Sequence, residues 1–299
     1  MDPADRNLAS PSRVRAILDG MGFAPSRVLG QNFLIDRNIL NILLDAAEVG
    51  AGDRVLEIGP GLGVVTGELL ARGCWVLAIE KDRRLAERLQ SEWGSEPRLE
   101  VRCADVLDAD VGAHVRDGFD AVVSNLPYSV ASRALVNMAM AEPAPRHVTV
   151  TVQKEVAGRL TASAATAAYG LLTLWIQRVY EVRLVKTVSP SCFWPPPEVQ
   201  SGIVRLVRRA SPLVADPGAV ACFHGVSRHA FSRRRKQLAS SLVESVQSPS
   251  LGKDGWQSAL ASLGEDPLAR PEALSPEAWA RLVLGPLAGA RLAPGVTRQ

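Results

Sequence analysis

The chain lacks the residue groupings that build metal centres and disulfide frameworks. Its four cysteines, Cys74, Cys103, Cys192 and Cys222, are scattered and form no CxxC pair. That spacing argues against structural zinc or a disulfide scaffold and fits a reducing, cytoplasmic compartment. The four histidines, His114, His147, His224 and His229, show neither HxxxH nor HExxH spacing, so no metal is expected. No run of about 18 apolar residues occurs, which excludes a membrane-spanning helix. The opening MDPADRNLASPSRVR mixes acids and bases without an apolar stretch, so no secretory signal is expected. Internal repeats are absent as well. What is left is an ordinary globular composition, 47% hydrophobic and 22% charged, in 299 residues. That length suits one large core with a smaller satellite.

Excess charge of either sign is also scarce. The net charge is only +3, and all of it falls beyond Ala210, where ten Lys/Arg face seven Asp/Glu. Five of those ten, Arg228, Arg233, Arg234, Arg235 and Lys236, lie in one stretch with no acid among them. Apolar Ala230, Phe231, Leu238 and Leu242 recur through that stretch at roughly helical spacing, which predicts a basic helix.

From Arg54 onward, short apolar runs alternate with longer amphipathic ones. Candidate strands are 54–59, 75–80, 98–103, 121–125 and 147–152, with helix-like segments between them. Such alternation predicts a doubly wound, mostly parallel sheet, and near-continuous apolar strands suit burial on both faces. Two later β-rich runs, 179–188 and 201–207, flank the Pro-rich SPSCFWPPPEVQ and predict a hairpin with a long connection, giving seven strands in all. TASAATAA (161–168) is low in complexity and predicts a surface loop or frayed helix end. ASPLVADPG after Arg209 has linker composition, and beyond it only three or four short helices are expected. The predicted domains are therefore 1–209, an α/β cofactor-binding catalytic domain, and 210–299, a small all-α domain.

The Gly-rich turn Glu57-Ile58-Gly59-Pro60-Gly61-Leu62-Gly63 follows the first of these strands. Glycines there let backbone approach a ligand closely. A dinucleotide site wants G-x-G-x-x-G, whereas this spacing is G-x-G-x-G with Glu57 alongside. A carboxylate would repel a pyrophosphate but suits the ammonium and sulfonium of S-adenosylmethionine. Glu80 ends the next strand, where an acid accepts bonds from both ribose hydroxyls of a nucleoside cofactor. Asp105 follows the third, placed to accept from an adenine amine. A helix-capping acid or a solvated strand end would explain either residue singly. Three acids at the carboxyl ends of three successive strands mark the ligand edge of an open α/β sheet.

After the fourth strand comes Ser124-Asn125-Leu126-Pro127-Tyr128, an element suited to an exocyclic amine. The N6 lone pair of adenine is delocalised, so that amine is a poor nucleophile. The Asn125 oxygen and the Leu126 carbonyl can accept its two hydrogens and favour a more tetrahedral nitrogen. Pro127 holds Leu126 extended and stiffens the turn, since attack needs near-linear alignment at roughly 3–3.5 Å. Tyr128 can stack on the base, a contact worth about 1–3 kcal/mol. No strong base is required, because the alkylated amine is acidic enough to release its proton to water.

With these residues in place, the chain resembles the ribosomal small-subunit RNA dimethyladenosine transferases linked to kasugamycin sensitivity. The similarity runs from about Leu29 to Leu284 through GQNFLID (30–36), EIGPGLG, IEKD, NLPYSVAS (125–132), QKEVAGRL (153–160), FWPPPEVQSGIVRL (193–206), FSRRRKQLASSL (231–242) and DPLARPEALSPEAW (266–279). The resemblance implies a class I, Rossmann-like methyltransferase fold with a helical C-terminal rRNA-binding domain. It implies that Asn32, the Leu34 backbone and Gly59 touch the methionine part of S-adenosylmethionine, Glu80 its ribose and Asp105 its adenine. Asn125 would lie between cofactor and target, and Phe193 would face Tyr128 across the inserted adenine. Phe193 packed simply beneath the proline turn is the plainer alternative. The implied reaction gives two adjacent adenosines of a 3′-terminal small-subunit hairpin two methyl groups each. The implied partner is immature small-subunit rRNA, met by a monomer and no membrane. Two positions depart from the pattern: only Arg27 remains of the basic cluster before GQNF, and Glu198-Val199-Gln200 replaces a base and an acid after the prolines.

The basic run is expected to meet phosphates. Three other functions share parts of these motifs. A large-subunit rRNA adenine methyltransferase of the macrolide-resistance type shares the Gly-rich turn and an N-x-P-[YF] element, but the NLPY variant, the PPP turn and the DPxxRPExLS pattern favour the small-subunit family. A non-catalytic nucleic-acid-binding factor would tolerate damage to the acids or to NLPY, and none is seen. An NAD oxidoreductase is disfavoured by the glycine spacing and Glu57.

Overall fold

The computed structural model describes residues 8–26, 29–245 and 251–289. The chain folds as two compact units. One comprises residues up to Ala157 together with Glu181–Arg208, and the other comprises Gly158–Tyr180 and the chain from Arg209 onward.

The first unit is built on nine strands: β1 (Phe33–Leu34), β2 (Arg54–Ile58), β3 (Trp75–Glu80), β4 (Leu99–Cys103), β5 (Ala121–Asn125), β6 (His147–Gln153), β7 (Tyr180–Val188), β8 (Phe193–Trp194) and β9 (Ser201–Arg208). Seven of them form one sheet in the order β4-β3-β2-β5-β6-β9-β7. β2 to β6 are mutually parallel, whereas β9 runs antiparallel to β6 with Ser201 opposite Gln153. The seven strands match the seven apolar runs to within a residue or so at each end. Burial explains why: Val55, Leu56, Leu77, Ala78, Val122, Val148 and Val150 are all at most 2% exposed, each contributing roughly 1.5–3 kcal/mol for a large aliphatic side chain.

From β2 the chain winds outward to β3 and β4, then returns to β5 on the other side. The reversal between β2 and β5 is a topological switch point, where open α/β sheets hold ligands beyond the strand ends. Helices connect the strands, and their starts are fixed by side chains. Asp36 accepts from the Ile39 N–H at 3.0 Å and starts Arg37–Ala47, while Asp82 accepts from the Arg84 N–H at 3.0 Å and starts Arg83–Trp93. Two strands have no counterpart in the sequence reading. β1 and β8, two residues each, pair antiparallel with Leu34 opposite Phe193 and Phe33 opposite Trp194.

The second unit contains helices Leu171–Gln177, Pro217–Ser232, Leu238–Ser245, Lys253–Ser262 and Pro276–Leu284. They enclose Leu174, Phe223, Leu238, Trp256, Leu274 and Trp279, all at most 1% exposed. Tyr169 lies among them and donates its hydroxyl to the Leu274 carbonyl at 2.8 Å. Gly158–Tyr180, expected in the first domain, thus supplies core to the helical unit. The low-complexity 161–168 segment is a loop, as expected.

Candidate functional site

The carboxyl ends of β2, β3 and β5, with the chain just after β4, converge on one pocket of the first unit. Its lining includes Gly30–Leu34, Glu57–Leu62, Glu80, Lys81, Ala104–Val106, Asn125–Val130 and Arg133. Asn32, Leu34, Gly59, Glu80, Asp105, Asn125, Leu126, Pro127 and Tyr128 therefore come together from separate stretches of sequence.

Each acid is oriented differently. Glu80 spans the Gly-rich turn and the next helix start, its Oε2 accepting from the Gly61 N–H at 3.0 Å and its Oε1 from the Asp82 N–H at 2.8 Å. Burial raises its pKa, opposed by those backbone donors. Asp105 accepts from Lys81 Nζ at 2.7 Å and from the Leu107 N–H at 2.9 Å, and the Lys81 bond, the larger influence, holds its carboxyl below the usual range. A carboxylate has about four lone-pair directions, so each retains capacity for a ligand. Glu57 differs from expectation. It is 1% exposed, accepts from the Thr66 hydroxyl at 2.6 Å, and burial pushes its pKa up to about 8. Burial thus favours the neutral form of Glu57, and of the three acids only Asp105 is held below its ordinary range.

Gly59 is left-handed (φ 65°) and its N–H donates to the Ile79 carbonyl at 2.8 Å. A Cβ there would stand 2.7 Å from Pro127 Cγ, so the Gly-rich turn and the NLPY turn touch where only glycine fits. Across this contact Asn125 donates Nδ2–H to the Asn32 carbonyl at 2.8 Å. That bond fixes the amide, leaving the Asn125 Oδ1 buried with no partner among the described residues. A buried, unpaired carbonyl oxygen costs about 1–3 kcal/mol, and in a residue that lines the pocket it is available to a ligand donor. Ser129 ties the same turn to the preceding segment, its Oγ donating to the Leu29 carbonyl at 3.0 Å. Tyr128 is half-buried, and its hydroxyl is hydrogen-bonded to Ser201 Oγ.

The pocket thus offers two acids for a nucleoside, a glycine cradle and an orphaned amide oxygen, at the switch point of a doubly wound sheet. Those features suit the cofactor of an S-adenosylmethionine-dependent methyltransferase, the class of protein to which the relatives belong. The family described as "Ribosomal RNA adenine dimethylase" matches residues 23–253. "Ribosomal RNA small subunit methyltransferase A" of Opitutus terrae is 38% identical over 280 residues, covering 91% of this chain and 97% of the relative. The protein of the same name from Bacillus thuringiensis is 37% identical over 282 residues, covering 93% and 96%. Among solved structures, a dimethyladenosine transferase from Plasmodium falciparum superposes with a TM-score of 0.71 at 25% identity, over 84% of this chain and 96% of that one. The 23S rRNA methyltransferase ErmE gives 0.64 at 30% identity, over 85% and 98%. The chain belongs to the ribosomal RNA adenine dimethylase family.

Two further site expectations change. Phe193 does not line the pocket: it is 1% exposed within the apolar core beside Leu34, because the β1–β8 register turns both inward. The basic run is not a helix. Pro217–Ser232 stops at Arg233 (φ −122°), and only Arg228 is helical, its guanidinium 5.2 Å from the Trp175 ring centroid. Four consecutive cations on a helix would cover its whole circumference and force one into the core, whereas a turn keeps all four outside. Three of these cations also carry acids: Arg233 and Lys236 pair with Glu244, and Arg234 lies 3.6 Å from Glu272. Arg235 has no such partner among the described residues. Arg27, the remnant of the N-terminal basic cluster, lies outside the described residues.

Lys81, Gln31 and Arg133 also line the pocket and were not singled out in sequence. Lys81 and Gln31 sit inside quoted motifs, whereas nothing local marks Arg133. Beside the pocket, Tyr128, Gln153 and Pro195–Val199 border an adjoining cleft with Gly30–Asn32. No helix among the described residues is long and apolar enough to cross a membrane, and none of their His, Cys, Asp and Glu residues group as a metal site.

Proposed function

We propose that this chain methylates N6 of two adjacent adenosines in a 3′-terminal hairpin of small-subunit rRNA, giving N6,N6-dimethyladenosines during ribosome biogenesis. The observation that carries the reading is Asn125: its amide is locked by the Asn32 carbonyl with Oδ1 buried and unpaired at the switch point. The names of the small-subunit relatives support the polymer. S-adenosylmethionine supplies an electrophilic methyl group. Glu80 would accept from its ribose hydroxyls and Asp105 from its adenine amine, with Asn32, Leu34 and Gly59 at the methionine part. Asn125 Oδ1 and the Leu126 carbonyl would hold the two N6 hydrogens, raising the nitrogen's basicity, while Tyr128 stacks on the ring. Water receives the proton. Residues 1–209 would hold cofactor and target, and 210–299 would contact rRNA through Arg228, Arg233, Arg234, Arg235 and Lys236. The protein would act as a cytoplasmic monomer.

The likeness to ErmE makes large-subunit rRNA the second reading. Methyl transfer should proceed on undermethylated small subunits and not on naked large-subunit rRNA. The opposite preference would replace this reading with the second.

A further inference from the structure

The orientation of Tyr128 depends on Ser201, a residue of the FWPPPEVQSGIVRL stretch to which the sequence reading gives no role. Its hydroxyl is hydrogen-bonded to Ser201 Oγ. Ser201 is fully buried, opens β9 immediately after the Pro195–Gln200 turn, and sits opposite Gln153 in register. Tyr128 borders both the cofactor pocket and the adjoining cleft walled by Gln153 and the proline turn, as do Gly30–Asn32 and Ser129. A ring pinned at both ends, by its backbone in the NLPY turn and by its hydroxyl on β9, presents a fixed face. Phe193 lies in the core and borders neither space. Ring placement then falls on the hydroxyl contact.

We propose that Ser201 is a positioning residue that holds the Tyr128 ring as the stacking platform for the target adenine. The inference rests on the adenine-methylation reading. The β9 wall behind Ser201 is anchored independently, with the Lys154 N–H donating to the Gln200 carbonyl at 2.9 Å and Lys154 Nζ to Gln200 Oε1 at 2.7 Å. Replacing the Ser201 hydroxyl by hydrogen therefore frees the ring without dismantling the wall.

The test is a double-mutant cycle on rRNA methylation with Tyr128→Phe, Ser201→Ala and both together. Each single change removes the same hydrogen bond, so each should lower kcat about tenfold, the equivalent of one net hydrogen bond. The Kd for S-adenosylmethionine should stay within about twofold, and the double variant should be no slower than either single one. Ser201→Thr keeps the hydroxyl and should recover most of the rate. Multiplicative losses, or full activity in either single variant, would overturn the proposal. Should Ser201→Ala fail to fold, Tyr128→Phe against Ser201→Thr decides it: an unimpaired Phe variant refutes it. An inactive wild type on small-subunit rRNA would instead refute the functional reading itself.

Discussion

The contact between the Gly-rich turn and the NLPY turn makes Gly59→Ala a severe test of the site. A Cβ at Gly59 would lie 2.7 Å from Pro127 Cγ and 2.9 Å from Cδ, against an ordinary carbon contact of about 3.5–4.0 Å. Pro127 must retreat by about 1 Å, and Asn125 and Leu126, two residues or fewer away, move with it. A misplacement of that size costs about 100-fold in a reaction needing aligned attack. The left-handed φ adds roughly 1–2 kcal/mol of strain. Gly52 separates the two effects, because it is also left-handed (φ 89°) but has nothing within 4 Å of an added Cβ. Gly52→Ala should thus lose a similar amount of stability in urea unfolding yet keep methyl transfer near wild type. Gly59→Ala should lose about 100-fold in labelled-methyl incorporation into rRNA. Equal activity of the two variants would refute the argument that the turns are held in register by that contact.

Three further outcomes follow from the geometry. Asn125→Ala should reduce methyl transfer by about 100-fold or more while calorimetry still detects S-adenosylmethionine binding, because the variant loses the N6 acceptor but none of the cofactor acids. Burial favours the neutral form of Glu57 in the fold, with its pKa at about 8, whereas the unfolded chain ionises near the ordinary 4.5. Its stabilising neutral state is fully present below that ordinary value and is lost progressively as pH rises towards about 8. Glu57→Gln should therefore gain stability relative to wild type between pH 5 and pH 8, on the order of a few kcal/mol in denaturant titrations. Arg235→Glu should weaken rRNA binding and lower its salt slope by about one or more without altering S-adenosylmethionine affinity. Arg234→Glu is a less clean probe, since it also breaks contacts to Glu272 and to the Thr166 and Ala167 carbonyls.

The sheet was legible because its central strands are buried on both faces and read as unbroken apolar runs. The same burial made Glu57 and Glu80 conspicuous as acids at strand ends, whereas Asp105 follows the largely exposed edge strand β4. β1 and β8 were not legible, since two residues carry no periodicity. Their pairing sets Phe193 opposite Leu34, and both lie in the core. The basic run misled because helical spacing of Ala230, Phe231, Leu238 and Leu242 survives a turn inserted between two helices. Gly158–Tyr180 joins the helical unit through Tyr169 and Leu174, whose partners lie far along the chain where no local pattern encodes them. Ser201 and Arg133 acquire significance only from what the fold brings beside them. The raised pKa of Glu57 comes from the depth of the site, which the sequence shows only as position.

The central claim is a methyl donor, a target atom and a polymer joined in one reaction. Mass spectrometry of small-subunit rRNA after incubation with the protein and S-adenosylmethionine tests all three at once. The account predicts two adjacent N6,N6-dimethyladenosines near the 3′ end, absent when Asn125 is alanine. Methylation at another atom, or in large-subunit rRNA instead, would contradict it.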